Sequence, residues 1–325
     1  MINAHIVDQK TMEAFFNSHL NLFKGAQKLI DLKIFQHDPS LVISHEVTLV
    51  KYQLQLDYGA SDIKTIVLRG SSDPKEKRLK SYKILKALWD TGFNEGHFVV
   101  PKPLGYFPED KILLYENYPA LSLMQRFESG QNHFIEKIQS SLEWLATFHE
   151  NQNFPVPEIP ADPKQTQEDE QHLTAALCEK FPRQAERIKS VVEAVAIAEK
   201  SLLDPSKFIL VHGDFQPNNI LIGDGQIAVI DFNDALIYDE LFDIEYFITQ
   251  TEYIYKRCRG SNIADQLDLL KMDYLKNRGI TLNDLTRKKL ALFRAKTLLR
   301  IKILTSHPVG EKILDEIENN AKKAV

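Results

Sequence analysis

Cysteine is nearly absent: Cys178 and Cys258 are the only two among 325 residues. They lie far apart, so the chain has neither a disulfide framework nor a cysteine-based metal motif. A reducing, cytoplasmic setting is expected. No apolar run approaches the roughly 20 residues that a membrane-spanning helix needs, and no membrane association is expected. The opening stretch MINAHIVDQKTMEAFF is charged early and lacks a long apolar core, and is expected not to act as a signal peptide. Basic residues are not in excess either. Forty Lys and Arg against forty-five Asp and Glu give a formal charge of -5, which argues against a dedicated nucleic-acid binder. What remains is 43% hydrophobic and 26% charged. That is an ordinary globular balance, with length enough for one large or two smaller domains.

The informative stretch runs from Phe208 to Phe232, FILVHGDFQPNNILIGDGQIAVIDF. Apolar runs at Phe208 to Val211, Asn219 to Ile222 and Ile227 to Ile230 read as three short strands, with Gly223, Asp224 and Gly225 as the turn between the last two. A short hairpin would thus display His212, Asp214 and Asn219 on one connection, with Asp231 after the next strand. These residue types suit phosphoryl transfer. Asp214 can orient an acceptor hydroxyl and take its proton, while Asn219 and Asp231 offer oxygen ligands to Mg²⁺. The spacing, His-x-Asp with Asn five positions after the Asp and then a second Asp-Phe, matches the kinase catalytic loop. The bland alternative makes Asp214 and Asn219 turn residues and Asp231 a strand end.

The wording HGDFQPNNIL…VIDF resembles the aminoglycoside phosphotransferase and choline kinase superfamily more than protein kinases; neither Asp-Phe-Gly nor Ala-Pro-Glu follows. The resemblance spans roughly Ile63 to Phe247. It implies an α+β, bilobal, protein-kinase-like fold with a small antiparallel-sheet lobe (residues 1–117) and a large, mainly helical lobe (residues 118–325), with the nucleotide held in the cleft. It makes Asp214 the catalytic base, Asn219 and Asp231 the metal ligands, and Asp243, in DELFDIEYF, a residue that fixes the catalytic loop through its backbone. His212 supports the loop. Gln216 stands where many relatives have a second His, and Glu245 where a small residue is common.

No G-x-G-x-x-G occurs between residues 35 and 70; relatives often lack that loop, but one support for nucleotide binding goes with it. The strand IKTIVLR must then supply the phosphate-binding cation. Strand residues alternate faces, so Thr65, Val67 and Arg69 share one face and Lys64, Ile66 and Leu68 the other. Val67 and Arg69 reproduce the small-residue and Lys positions of Val-Ala-Ile-Lys, and Arg69 is preferred over Lys64. The next helix, SSDPKEKRLKSYKILKALWDTG, is capped from Ser71, Ser72 or Asp73, with Pro74 in its first turn. In relatives this helix gives a Glu to the strand cation. Here Ser81 holds that position, and Glu76 is the nearest substitute. The resemblance also makes Glu116, Asn117 and Tyr118 the hinge whose backbone binds adenine, with Tyr118 either packed on adenine or a plain boundary residue.

Elsewhere the reading is mostly structural. A helix is expected over Thr11 to Leu32, a strand beginning at Leu41 to Ile43, and another over His45 to Tyr58, with Gly59 in the following turn. Helices are expected over Leu121 to Phe127, Phe134 to His149, Leu173 to Phe181, Gln184 to Leu203, Ile263 to Asn277 and Leu285 to Leu304. His149 is read as packing or capping. Asn151 to Gln171, with Pro155, Pro157, Pro160 and Pro163, is expected to be irregular, an acidic surface insert beside a cationic acceptor or a plain loop. Thr281 and Asp284 suggest a capping box. The bases from Arg287 to Lys302 look like a solvated face, and the tail from Glu316 is expected to fray. The function expected is transfer of phosphate from ATP, GTP remaining open, with Mg²⁺, to a small-molecule hydroxyl. A nucleotide-binding scaffold of the same fold is the alternative. Acceptor identity and oligomeric state are not legible.

Overall fold

In the computed structural model, residues 4–36, 48–73, 77–130, 134–152, 163–223, 225–304 and 311–324 are described. The chain divides into two units, Met1–Ala120 with Gly223–Asn233, and Leu121–Ile222 with Asp234–Val325.

The first unit rests on period-two burial. In β2 (Thr48–Asp57) every second side chain is buried, from Thr48 through Val50, Tyr52 and Leu54 to Leu56. β2 sits between β1 (Lys28–Gln36) and β3 (Ile63–Ser72); β6 (Ile112–Glu116) and β5 (Pro103–Phe107) complete an antiparallel sheet ordered β1-β2-β3-β6-β5. α1 (Gln9–Ser18), capped by Asp8, covers the buried face with Met12 and Phe16. The Tyr52 hydroxyl donates to the Ile6 carbonyl at 2.6 Å, so this buried polar group is satisfied. Gly59 at φ 85° turns the chain between β2 and β3, a left-handed conformation that suits glycine. α2 (Lys77–Asp90) buries Ile84, Leu85 and Leu88. β4 (Phe98–Val99) pairs in parallel with a strand from later in the chain, β10 (Ile227–Val229).

Several expectations for this unit need correction or restriction. The helix expected over Thr11 to Leu32 stops at Ser18, and Lys28–Gln36 is a strand. A bulge between Leu29 and Asp31 places the buried residues Leu29 and Leu32 three apart, and that spacing mimics a helix. The strand start at Leu41 to Ile43, His45, the helix-start Pro74 and the turn residue Asp224 lie outside the described residues.

The second unit is mainly helical. After β7 (Leu121–Ser122), α3 (Leu123–Glu128) starts with a capping box in which Ser122 and Gln125 exchange hydrogen bonds. α4 (Phe134–Glu150), α5 (Pro163–Lys180) and α6 (Ala185–Leu202) follow. β8 (Ile209–Val211) pairs with β11 (Leu236–Tyr238), and β9 (Ile220–Ile222) with β7. The expected hairpin of β8 with β9 is therefore corrected: each finds another partner, and the loop between them spans two strand pairs. α7 (Leu241–Arg259) ends at Gly260, φ 66°. α8 (Ala264–Asn277), α9 (Asp284–Leu304) and α10 (Glu311–Ala324) close the unit.

Further differences arise in these helices. The segment expected to be irregular to Gln171 is helical from Pro163, which suits proline because the first helical turn needs no N–H donor; Pro155, Pro157 and Pro160 lie outside the described residues. α9 is capped by Asn283, which accepts from the Thr286 N–H at 2.9 Å, and not by Thr281. Its bases form a solvated face only in part: Arg287 is exposed, whereas Lys289, Arg294 and Lys296 are paired. Leu290, Ala291, Leu292 and Phe293 are all buried, so the middle of α9 is surrounded and its cations there reach carboxylates on neighbouring segments. Lys289 meets Asp239 at 2.7 Å and Lys296 meets Glu199 at 2.6 Å. The tail does not fray: Leu314, Ile317, Ala321 and Ala324 are buried at helical spacing on α10. Among the described residues no helix is long and apolar enough to cross a membrane.

Candidate active site

In the helical unit, the loop from His212 to Asn219 is held from below. Asp243, fully buried in the first turn of α7, accepts from the His212 N–H at 2.7 Å and the Gly213 N–H at 2.9 Å. His149 on α4, also buried, pairs with Asp243 at 3.0 Å through Nε2 and with the Tyr274 hydroxyl at 2.6 Å through Nδ1. Burial raises the Tyr274 pKa well above its ordinary value, so that hydroxyl keeps its proton and donates. His149 is thus more than the packing or capping residue expected: it is the next member of a chain from Tyr274 through Asp243 to the loop backbone. Gly213 sits at φ 77°, and a Cβ there would overlap the Asp234 carbonyl, so the turn requires glycine. Phe215 anchors the loop. It is fully buried, stacks on Trp144 at 5.9 Å and meets Phe247 at 5.1 Å.

This frame presents the Asp214 carboxylate. Oδ1 accepts from the Tyr246 hydroxyl at 2.7 Å and Oδ2 from Asn219 Nδ2 at 2.8 Å. Gln216 Nε2 reaches both oxygens, at 2.9 and 2.8 Å. His212, buried, accepts the Asp214 N–H on Nδ1 at 3.3 Å. His212, Asp214 and Asn219 are therefore brought together. Burial first, and then the Asp214 charge, raise the Tyr246 pKa, so Tyr246 remains a donor. Arg300 lies over the Phe242 and Tyr246 rings at 5.6 and 5.7 Å. Desolvation works against its charge, but Tyr246, Asp234 and Asp214 outweigh it and the net shift is upward. Glu245 is buried beside Lys271 at 3.2 Å and Arg294 at 3.6 Å.

In the sheet unit, Arg69, Val67 and Asn117 come together. Arg69 Nε donates to Asn117 Oδ1 at 2.8 Å, and the Asn117 N–H donates to the Val67 carbonyl at 2.9 Å. Lys64 lies at the hairpin end, half exposed, paired with Asp62 at 3.1 Å and over the Tyr58 ring. Glu116 turns to Lys102 at 2.8 Å. The Tyr118 hydroxyl donates to Gln226 at 3.0 Å and lies against Gly223, where a Cβ would collide with it. Asp231 has φ 69°, a left-handed conformation that Asp tolerates better than most residues and that recurs at functional sites. Its Oδ1 accepts from Asn233 Nδ2 and lies 3.6 Å from Arg78 Nη1. Ser81, in place of the expected Glu, donates to Asn233 Oδ1 at 2.6 Å. Glu76 lies outside the described residues.

Each unit offers an oxygen suited to a hard cation. Asn219 commits its NH₂ to Asp214, and Oδ1 carries no hydrogen bond among the described residues. The same holds for Asp231 Oδ2. The amide oxygen in the helical unit and the carboxylate oxygen in the sheet unit are each of the hard-oxygen kind that Mg²⁺ takes. Among the described residues no group of three or more His, Cys, Asp or Glu is placed to hold a metal.

Sequence reasoning missed Tyr246, Arg300 and Arg78. Tyr246 lies one helical turn after Asp243, which was the available signal. Arg300 and Arg78 were hidden among other bases.

A small antiparallel-sheet unit and a larger helical unit carrying this loop define a bilobal, kinase-like fold. Solved structures agree. The chain is similar to spectinomycin phosphotransferase in complex with ADP and spectinomycin, at 15% identity and TM-score 0.56, over 94% of this chain and 96% of that one. It is similar to choline kinase from Cryptosporidium parvum, at 13% identity and TM-score 0.60, over 98% and 94%. It is also similar to the ethanolamine kinase of Plasmodium vivax, at 10% identity and TM-score 0.53, over 94% and 83%. None of the curated protein sequences compared with it matches. The model of the phosphotransferase enzyme family matches residues 51–271, more than half of the chain, and the protein belongs to that family.

Proposed function

We propose that the protein transfers the terminal phosphoryl group of ATP to a hydroxyl of a small molecule, with Mg²⁺. The acceptor class spans aminoglycosides, choline, amino alcohols and sugars. One observation carries the reading: the Asp214 carboxylate is oriented by Tyr246, Asn219 and Gln216, on a loop whose backbone is tied to the buried Asp243. A merely structural aspartate in a turn would not need so many donors. A carboxylate offers about four acceptor positions, and the four contacts from Tyr246, Asn219 and Gln216 use them. An acceptor hydroxyl must therefore displace a donor, and Gln216, which spans both oxygens, is the one that can yield a position while keeping another.

Asp214 then orients the hydroxyl and takes its proton as the new oxygen–phosphorus bond forms and the bond to ADP breaks. Asn219 and Asp231 would hold the metal, which would supply positive charge against the phosphates. Arg69, beside Val67, meets the phosphates, steadied by Asn117. Glu116, Asn117 and Tyr118 form the hinge for adenine, and His212 supports the loop. The ADP-bound relative supports nucleotide use by this fold.

Asp231→Ala should bind MgATP about 10- to 100-fold more weakly than wild type, since a charge-assisted contact contributes about 1.5–3 kcal/mol. Calorimetric titration measures this. Equal affinity in a folded variant would remove Asp231 from the metal site.

A further inference from the structure

Helix α2, on which relatives are expected to carry a carboxylate partner for the strand cation at the position of Ser81, carries a buried cation three residues earlier, Arg78. Arg78 is only 6% exposed. Its Nε is buried with no hydrogen-bond partner among the described residues. The Asp231 carboxylate is 3.6 Å from Nη1, beyond hydrogen-bond length. A buried guanidinium with an unmade bond is costly, and a loose ion pair to an exposed carboxylate does not offset its desolvation. The arrangement is that of a group waiting for an acceptor.

The surroundings identify the acceptor as an anion. Arg69 and Tyr115 are directly cross-strand neighbours on β3 and β6. Tyr115 has its pKa raised by burial and by the Asp231 charge, and lowered by Arg69 and Arg78. Two guanidinium groups and one carboxylate therefore act on one hydroxyl. Asp231 has its own tether, since Ser81 holds Asn233 and Asn233 holds Asp231. The carboxylate can thus stay in place when Arg78 turns to another oxygen. A planar fork with five N–H donors is the usual partner of a phosphate.

We propose that Arg78 is a second phosphate-binding residue of the nucleotide site, and that it exchanges its loose contact with Asp231 for phosphate oxygens when nucleotide binds. Helix α2 then serves the phosphates directly, with Ser81 and Asn233 keeping Asp231 oriented for the metal. This rests on the nucleotide reading above.

The test is binding, not turnover. Arg78→Met keeps much of the side-chain length and removes the charge; Arg78→Lys keeps the charge without the fork. Adenosine, ADP in EDTA and MgADP are titrated into wild type and both variants, with circular dichroism to confirm folding. For Arg78→Met, ADP should bind about 10- to 100-fold more weakly with or without metal, as for a lost charge-assisted bond, while adenosine affinity is unchanged. Arg78→Lys should fall between. Unchanged ADP affinity in Arg78→Met would overturn the assignment, as would equal losses for adenosine and ADP, which would mark a structural residue. If Arg78→Met fails to fold, Arg78→Lys decides: ADP binding as tight as wild type there overturns the claim. Wild type that binds neither ADP nor MgADP would overturn the nucleotide reading itself, and this claim with it.

Discussion

Asp214→Asn should lose most acceptor phosphorylation while keeping its fold and its nucleotide affinity. The carboxylate acts on the acceptor hydroxyl, whereas the phosphates are assigned to Arg69 and the metal to Asn219 and Asp231. Removing a positioned general base costs roughly 10²- to 10⁴-fold in rate. The loss falls toward the lower end if transfer is largely dissociative, because little proton abstraction is then needed early. The amide also brings an NH₂ group towards Gln216, Asn219 and Tyr246, all of which donate to Asp214, so the side chain would lose its orientation as well as its basicity. Single-turnover transfer to an identified acceptor, beside a nucleotide titration, separates the two effects. Wild-type turnover by the Asn variant would take Asp214 out of the mechanism.

Asp243→Asn should be the most damaging change away from the reacting atoms. Asp243 accepts three bonds, from the His212 and Gly213 N–H groups and from His149. An amide must turn its NH₂ toward at least one of these donors. A buried donor left without an acceptor costs about 1–3 kcal/mol, and breaking a buried charged network about 3–5 kcal/mol, so a loss of about 3 kcal/mol is expected. Denaturant unfolding measures it. The surviving folded protein should also transfer phosphate more slowly, because the loop that carries Asp214 is no longer tied to α7, while its nucleotide affinity holds. Unchanged stability and rate would show that the loop keeps its shape without Asp243.

Much of the site could be read from residues alone because the loop chemistry is local. His212, Asp214 and Asn219 lie within eight positions, and their spacing survives whatever strand partners are chosen. The pairing itself was not legible: β8 and β9 are too short to declare whether they join each other or β11 and β7. Alternation was legible on β2, and on β3 it puts Arg69 and Lys64 on opposite faces. β1 misled because its bulge spaces Leu29 and Leu32 like helix neighbours. The charges of α9 misled for another reason. Arg, Lys and Glu read as solvated until the partners are known, and those partners, Asp239, Glu199 and Glu252, lie far away in sequence. Arg78 was hidden in the same way within KEKRLK, since its partner Asp231 is contributed by a much later segment.

Acceptor-dependent ADP release is the direct test of transfer to a hydroxyl. Purified wild-type protein is given ATP and Mg²⁺ with a panel of aminoglycosides, choline, amino alcohols and sugars, and phosphorus NMR follows any phosphate ester formed. ADP release is expected with at least one acceptor, together with a matching ester, and both should be lost in Asp214→Asn. Tight MgATP binding with neither ADP release nor ester across the whole panel would contradict transfer to a hydroxyl and leave a nucleotide-binding scaffold.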